Sequence, residues 1–76
     1  MSPQFREFKA RFRELSLDVY QAHCDRIAEA CASIQDDSER RHCEEALLKI
    51  RHWFKYRQDF AADIAREIAT IERALQ

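Results

Sequence analysis

Residues 43–75, CEEALLKIRHWFKYRQDFAADIAREIATIERAL, decide the fold, and they contain neither glycine nor proline. Apolar residues recur in this stretch at alternating spacings of four and three, and Arg57 is the one polar member of the stripe. The stripe consists of Cys43, Leu47, Ile50, Phe54, Arg57, Ala61, Ile64, Ile68, Ile71 and Leu75. This spacing predicts one long helix that packs one face against other helices.

The residues before this stretch predict a second long helix, over about residues 3–34. Ser2 can cap its start, and Pro3 suits the first helical position because the missing N–H costs nothing there. Its apolar face is Phe5, Phe8, Phe12, Leu15 and Val19, and after a slip in phase Tyr20, Cys24, Ile27, Cys31 and Ile34. The slip is typical of a local unwinding of one helix, although Ser16 offers an alternative start for a new one.

Residues 35–37 predict the turn between these helices, and Asp36 with Glu39 fits a capping box at the start of the second. A helix over about residues 38–75 would be about 55–60 Å long at 1.5 Å per residue. A short turn makes the two helices antiparallel neighbours, with Cys24 level with Leu47 and Phe12 level with Asp59. Asp59 also offers an alternative cap for a separate third helix. We therefore expect a single all-α domain over residues 1–76, an antiparallel helical hairpin.

A second apolar stripe, Ala46, Trp53 and Phe60, flanks the main one at seven-residue spacing, with Tyr56 beside it. A two-helix hairpin has one internal seam, so the second stripe would stay exposed in a monomer, as interface surfaces do. We therefore predict a homodimer that forms a four-helix bundle. Its dimer and core residues would be Leu47, Ile50, Phe54, Ile64, Ile68 and Ile71.

Composition excludes several classes of protein. The chain has 76 residues and a net charge of −1, so it has no overall attraction to nucleic acid or to anionic membranes. No apolar run approaches the roughly 20 residues of a membrane span, and the first residues lack the apolar core of a signal peptide. Three cysteines are an odd number, which argues against a disulfide framework. We expect a cytoplasmic protein with reduced cysteines.

The sequence offers little catalytic or metal-binding chemistry. Cys31, His42 and Cys43 are the best candidates for a zinc site, but zinc needs four converging ligands and Cys24 is two helical turns from Cys31. Each of His23 and His42 precedes a cysteine, and adjacent residues of a helix point in different directions, so neither histidine can activate its neighbour. We expect no enzyme activity, no metal and no cofactor.

The surplus apolar surface favours a protein-binding module that regulates, inhibits or chaperones a larger protein. Aromatic residues with nearby arginine are typical of interface hot spots. The predicted partner-binding residues are Lys49, Trp53, Tyr56, Arg57 and Phe60. One alternative is a dimer that binds RNA or another nucleic acid through residues 49–57, with Arg6, Lys9, Arg11 and Arg13 as a second basic cluster. Another alternative is a structural subunit of a larger helical assembly.

Overall fold

The computed structural model describes residues 3–76, with side chains from residue 5 onward. It contains four α-helices, and a short 3-10 segment follows the first and the third. The helices are α1 (Pro3–Arg11), α2 (Leu17–Ala32), α3 (Asp37–His52) and α4 (Ala61–Ala74), and the 3-10 segments are Phe12–Glu14 and Trp53–Tyr56. No strand occurs within residues 3–76, so the all-α class is confirmed there. The predicted cap at Ser2 lies outside the described residues.

The prediction of one helix over residues 3–34 is wrong, because the chain breaks at residues 12–16. Leu15 and Ser16 are extended, and the Ser16 hydroxyl accepts a hydrogen bond from the Val19 N–H at 3.4 Å, which starts α2. Leu15 and Tyr20 would point about 140° apart on a straight helix. The break lets both side chains enter one core. Val19, predicted on the apolar face, is instead 45% exposed.

The prediction of one helix over residues 38–75 is also wrong, because the chain turns at residues 53–60 and α4 packs back against α3. We call residues 53–60 the elbow. Asp59 does not cap α4, since Phe60 occupies the cap position and makes no side-chain hydrogen bond there. The turn brings α4 over the flank of α3 that carries Ala46, which is 2% exposed. Of the apolar stripe that predicted a dimer, Ala46 is therefore buried within one chain, whereas Trp53 is half-buried and Phe60 is exposed.

The turn between α2 and α3 is close to its predicted position. Asp36 is the N-cap of α3, and its carboxylate accepts the Glu39 N–H at 2.9 Å. The Arg40 guanidinium donates to the Ile34 carbonyl at 3.1 Å and pairs with Asp37, which fastens the turn to the first residues of α3. Farther from this turn, the Tyr20 hydroxyl donates to the Ile50 carbonyl at 2.7 Å, which joins the start of α2 to the end of α3.

One hydrophobic core joins all four helices. Five of the six predicted core residues are buried, and Phe54 is half-buried against them. The buried apolar residues are Phe5, Phe8, Phe12, Leu15, Tyr20, Cys24, Ile27, Cys31, Cys43, Ala46, Leu47, Ile50, Ile64, Ile68 and Ile71. The longest extent of the molecule is 32 Å, well below the length expected of the uninterrupted second helix. Four helices thus pack together within a single chain.

None of the helices within residues 3–76 combines the length and the apolar character that crossing a bilayer demands. The longest, α2 and α3, have 16 residues each, and charged side chains interrupt both.

Replacing Ile68 by Asp should unfold the protein. Ile68 is fully buried, and an unpaired carboxylate there costs several kcal/mol, against the roughly 5–10 kcal/mol that stabilise a small domain. Leu48→Asp is the matched control, because Leu48 is 66% exposed and its replacement should change stability by no more than about 0.5 kcal/mol. Thermal melts followed by circular dichroism measure both variants. An unchanged melting temperature for Ile68→Asp would show that α4 does not pack as described.

Candidate functional site

The elbow owes its shape to hydrogen bonds that tie it to the first break of the chain. The Arg13 carbonyl accepts two of them, from Arg57 Nε at 3.2 Å and from Gln58 Nε2 at 2.9 Å. The Arg57 guanidinium also donates to the Phe54 carbonyl at 2.9 Å and lies 4.1 Å from the centre of the Phe54 ring. The Arg57 and Gln58 side chains thus supply donors to the Arg13 carbonyl at the first break, while the Phe54 carbonyl also accepts the Arg57 backbone N–H at 3.2 Å.

Three aromatic side chains meet on the outside of the elbow, and we call Trp53, Tyr56 and Phe60 the aromatic cluster. The Trp53 and Phe60 rings stack, with centroids 5.7 Å apart and planes 13° from parallel. Tyr56 meets Phe60 edge-on, at 6.1 Å and 85°. Tyr56 is 52% exposed and Phe60 39%, whereas Trp53 is half-buried and packs against the core. The result is an apolar surface whose rings support one another.

Phe54 anchors the elbow from the inside. Its ring contacts the buried Tyr20 ring at 4.8 Å in an edge-to-face arrangement, beneath the Arg57 guanidinium. Burial raises the pKa of Tyr20 well above its usual range, so its hydroxyl stays protonated and donates to the Ile50 carbonyl. That carbonyl belongs to the last turn of α3, where the next helical donor is missing. The 3-10 segment Trp53–Tyr56 is therefore held by the ring contacts of Phe54 within it and by the Tyr20–Ile50 hydrogen bond just before it.

The five predicted partner-binding residues do not form one surface. Trp53, Tyr56 and Phe60 come together in the aromatic cluster, but Arg57 turns toward the Arg13 and Phe54 carbonyls. Lys49 lies beside α4, with its ammonium 3.7 Å from the Glu67 carboxylate. Gln58 was not singled out from the sequence, because nothing in the spacing of a polar glutamine indicates that it will hold a distant carbonyl.

Several cationic side chains of the basic stretch 49–57 pair with groups of the same molecule. Lys49 pairs with Glu67, and Arg51 pairs with Asp25 at 2.9 Å. The N-terminal basic cluster is similar, because Lys9 pairs with Glu72 at 2.9 Å and Arg11 lies near Glu7 and Glu14. Lys55 is exposed at the elbow. The structure therefore offers a phosphate backbone fewer unpaired cations than the sequence suggests.

The cysteines lie in the core. Cys24 and Cys31 on α2 and Cys43 on α3 are all buried, and burial raises the pKa of Cys31 to about 12 and that of Cys24 to about 11. Such thiols stay protonated near neutral pH and are poor nucleophiles and metal ligands. His42, the third member of the predicted cluster, is exposed and faces a shallow depression beside Arg73. Residues 3–76 contain no group of three or more His, Cys, Asp or Glu placed to hold a metal ion.

His23 is the one buried polar or charged residue among those with described side chains. Its ring stacks on Phe8 of α1, with centroids 5.1 Å apart and planes 24° from parallel. Burial lowers the pKa of His23; nearby Glu7 acts in the opposite direction and Arg26 in the same direction. The neutral imidazole is therefore part of the contact that seats α1 on α2.

Arg57→Met should destabilise the protein by about 2 kcal/mol, because it keeps the apolar stem and removes a charged donor from two carbonyls and one ring. The control is Lys55→Met at the neighbouring exposed position, which should change stability by at most about 0.5 kcal/mol. Urea denaturation measures both. Equal midpoints for the two variants would contradict the structural role assigned to Arg57.

Stability should fall as the pH drops below about 6.5, the ordinary pKa of histidine, because the unfolded chain then binds a proton that buried His23 resists. At higher pH His23 is neutral in both states and its contribution is complete. Melting temperatures measured from pH 7.5 to 5.5 test this expectation. His23→Phe keeps an aromatic ring against Phe8 and should flatten the profile; a profile as steep as that of the wild type would assign the pH dependence to other groups.

No family model, curated protein or solved structure matches this chain. Its own side-chain contacts tie the elbow to the Arg13 carbonyl, hold the aromatic cluster together on the outer side of the elbow and keep the cysteines in the core.

Proposed function

We propose that this protein is a non-enzymatic binding module of the cytoplasm that regulates, inhibits or chaperones a larger protein. The observation that carries the proposal is the aromatic cluster of Trp53, Tyr56 and Phe60, whose rings are in mutual contact while Tyr56 and Phe60 remain substantially exposed. Aromatic side chains supply much of the energy of protein interfaces when a partner removes them from water. Their position on a hydrogen-bonded elbow lowers the entropy that is lost on binding.

The charges near the cluster support a protein partner over a nucleic acid. Lys49, Arg51 and Arg57 contact groups of the chain itself, so the binding of phosphates would have to compete with these contacts. A protein partner can instead use the apolar rings and leave the ion pairs in place. The nucleic-acid alternative and the structural-subunit alternative then become distinguishable outcomes of one experiment.

Self-association remains part of the proposal, but not as the predicted four-helix bundle of two hairpins. The sequence predicted that two hairpins would make one four-helix bundle, whereas four helices already pack within one chain. A homodimer would therefore bring together eight helices. Its interface would have to use surface that the single chain leaves exposed, which includes Leu17, Val19 and Leu48 besides the aromatic cluster.

The double variant Tyr56→Ala, Phe60→Ala should lose the partner and keep the fold, since both side chains are substantially exposed. Trp53 is left unchanged because it packs against the core. The matched control is Leu17→Ala with Leu48→Ala, which removes comparable exposed apolar surface elsewhere. Tagged protein is captured from its host with and without nuclease, and the partner identified in this way is then titrated against all three purified proteins.

The expected result is a stoichiometric protein partner that resists nuclease and binds the double variant at least tenfold more weakly than the wild type and the control. Loss of about 1.4 kcal/mol corresponds to that factor, and one aromatic hot-spot residue can supply it. Equal affinity for the double variant would contradict the aromatic cluster as the binding surface. Capture that disappears with nuclease would favour RNA, and large assemblies of many copies would favour a structural subunit.

A further inference from the structure

Two carboxylates lie beside the aromatic cluster. Asp59 comes three residues after Tyr56, and Asp63 comes three residues after Phe60. The backbone keeps helical hydrogen bonds here, because the Phe60 N–H donates to the Tyr56 carbonyl and the Ile64 N–H to the Phe60 carbonyl, each at 2.9 Å. Residues three apart are neighbours on the surface of a helix. Each of the two exposed rings therefore has a carboxylate next to it.

These carboxylates remain accessible to a partner. Asp59 is exposed, and none of the ion pairs among residues 5–76 includes it. Asp63 pairs with Arg66 at 3.3 Å, which is an exposed contact of the kind that contributes little to stability. Arg57 does not reach them, because its guanidinium donates to two backbone carbonyls of the elbow and of the first break.

Exposed rings with neighbouring carboxylates are the acceptors that suit an arginine. A guanidinium stacks on aromatic faces and donates to carboxylates through its planar fork. The chain itself binds guanidinium groups in both ways near the elbow, because Arg57 lies 4.1 Å from the centre of the Phe54 ring and Arg66 pairs with Asp63. An acidic partner would be repelled by Asp59 and Asp63. The charges next to the rings therefore favour a basic partner.

We propose that the partner of the aromatic cluster is a basic segment of another protein, and that one of its arginines binds here. Its guanidinium stacks on the exposed ring of Tyr56 or Phe60 and donates to the carboxylates of Asp59 and Asp63. Arginine is enriched at the hot spots of interfaces, as the aromatic residues are. This inference rests on the proposed function, since it names the chemistry of the segment that the aromatic cluster binds.

The fluorescence of Trp53 can test the inference directly. Trp53 is the only tryptophan of the chain, and its ring stacks on that of Phe60. The probe is a short synthetic peptide of arginine, leucine and serine, and the matched probe has citrulline at each arginine, which removes the charge and keeps the shape. The arginine peptide should change the Trp53 emission saturably and bind at least about fivefold more tightly than the citrulline peptide, because only arginine supplies a cation to the rings and the carboxylates.

Carboxylate variants show whether this preference arises at the elbow. Asp59→Asn with Asp63→Asn should weaken binding of the arginine peptide by about fivefold, since both ionic acceptors are lost. The matched control is Glu44→Gln with Glu45→Gln, which removes the same charge from exposed carboxylates of α3 and should leave the affinity unchanged. Circular dichroism checks that both variants keep the fold.

Ring and lysine variants separate the inference from its competitors. Tyr56→Leu with Phe60→Leu keeps apolar surface but removes the ring faces, and should also weaken the arginine peptide. Lys55→Gln should not weaken it, because Lys55 is an exposed cation of the elbow that can only repel a basic segment. Weaker binding of the peptide by Lys55→Gln would instead indicate an acidic partner and overturn the inference.

The remaining outcomes are equally decisive. Equal affinity for the arginine and citrulline peptides, no response of Trp53 to either, or equal losses in the two carboxylate variants would overturn the inference. Failure of the proposed function looks different, because the captured partner would then bind the Tyr56→Ala, Phe60→Ala variant as tightly as the wild type. A captured partner that loses affinity for that variant but not for Asp59→Asn with Asp63→Asn would support the aromatic cluster and contradict only the arginine.

Discussion

The carbonyl of Arg13 is the point on which the arrangement of the helices depends. It accepts hydrogen bonds from Arg57 and Gln58 and thereby joins the break that precedes α2 to the break that precedes α4. A break in a helix leaves backbone groups that must find other partners if they are not to lose free energy. Here one set of side chains serves both breaks. The direction of α1 and the direction of α4 are therefore linked through a single backbone atom.

The return of α4 onto α3 decides how much of the molecule is available to partners. An uninterrupted second helix would leave the flank at Ala46 exposed along its length, and only a second molecule could cover it. Once the chain turns at the elbow, α4 covers that flank from within the same chain. An intramolecular contact of this kind forms at a high effective concentration. Tyr56 and Phe60 of the aromatic cluster stay exposed, and together they form a smaller surface than a whole helix face.

Many polar and reactive groups are likewise paired or buried within the chain. Several lysines and arginines that could bind a phosphate backbone pair with carboxylates on other helices, as Lys9 does with Glu72 and Arg51 with Asp25. The thiols are protonated and buried, and His23 is neutral beneath α1. The large apolar side chains that remain exposed include those of Tyr56 and Phe60 in the aromatic cluster.

The sequence by itself determined the all-α class, the turn at Asp36 and most of the core. These features depend on local periodicity and capping, which short stretches of residues specify. It also indicated the aromatic cluster, because Trp53, Tyr56 and Phe60 lie close together on any helical path. The places where the helices break were present only as alternatives, at Ser16 and near Asp59, because uninterrupted helical spacing remained compatible with the apolar pattern.

Only the tertiary structure decided between these paths. A break becomes favourable when distant groups compensate for the helical hydrogen bonds that it removes, and those groups lie far away in the chain, as Arg13 does from Gln58 and Tyr20 from Ile50. The contacts of Arg57 depend on the tertiary structure in the same way. Its position in the apolar stripe is visible in the sequence, but only folding brings the carbonyls that it binds within reach. Spacing describes one helix at a time, whereas these bonds form between elements and so depend on the whole fold.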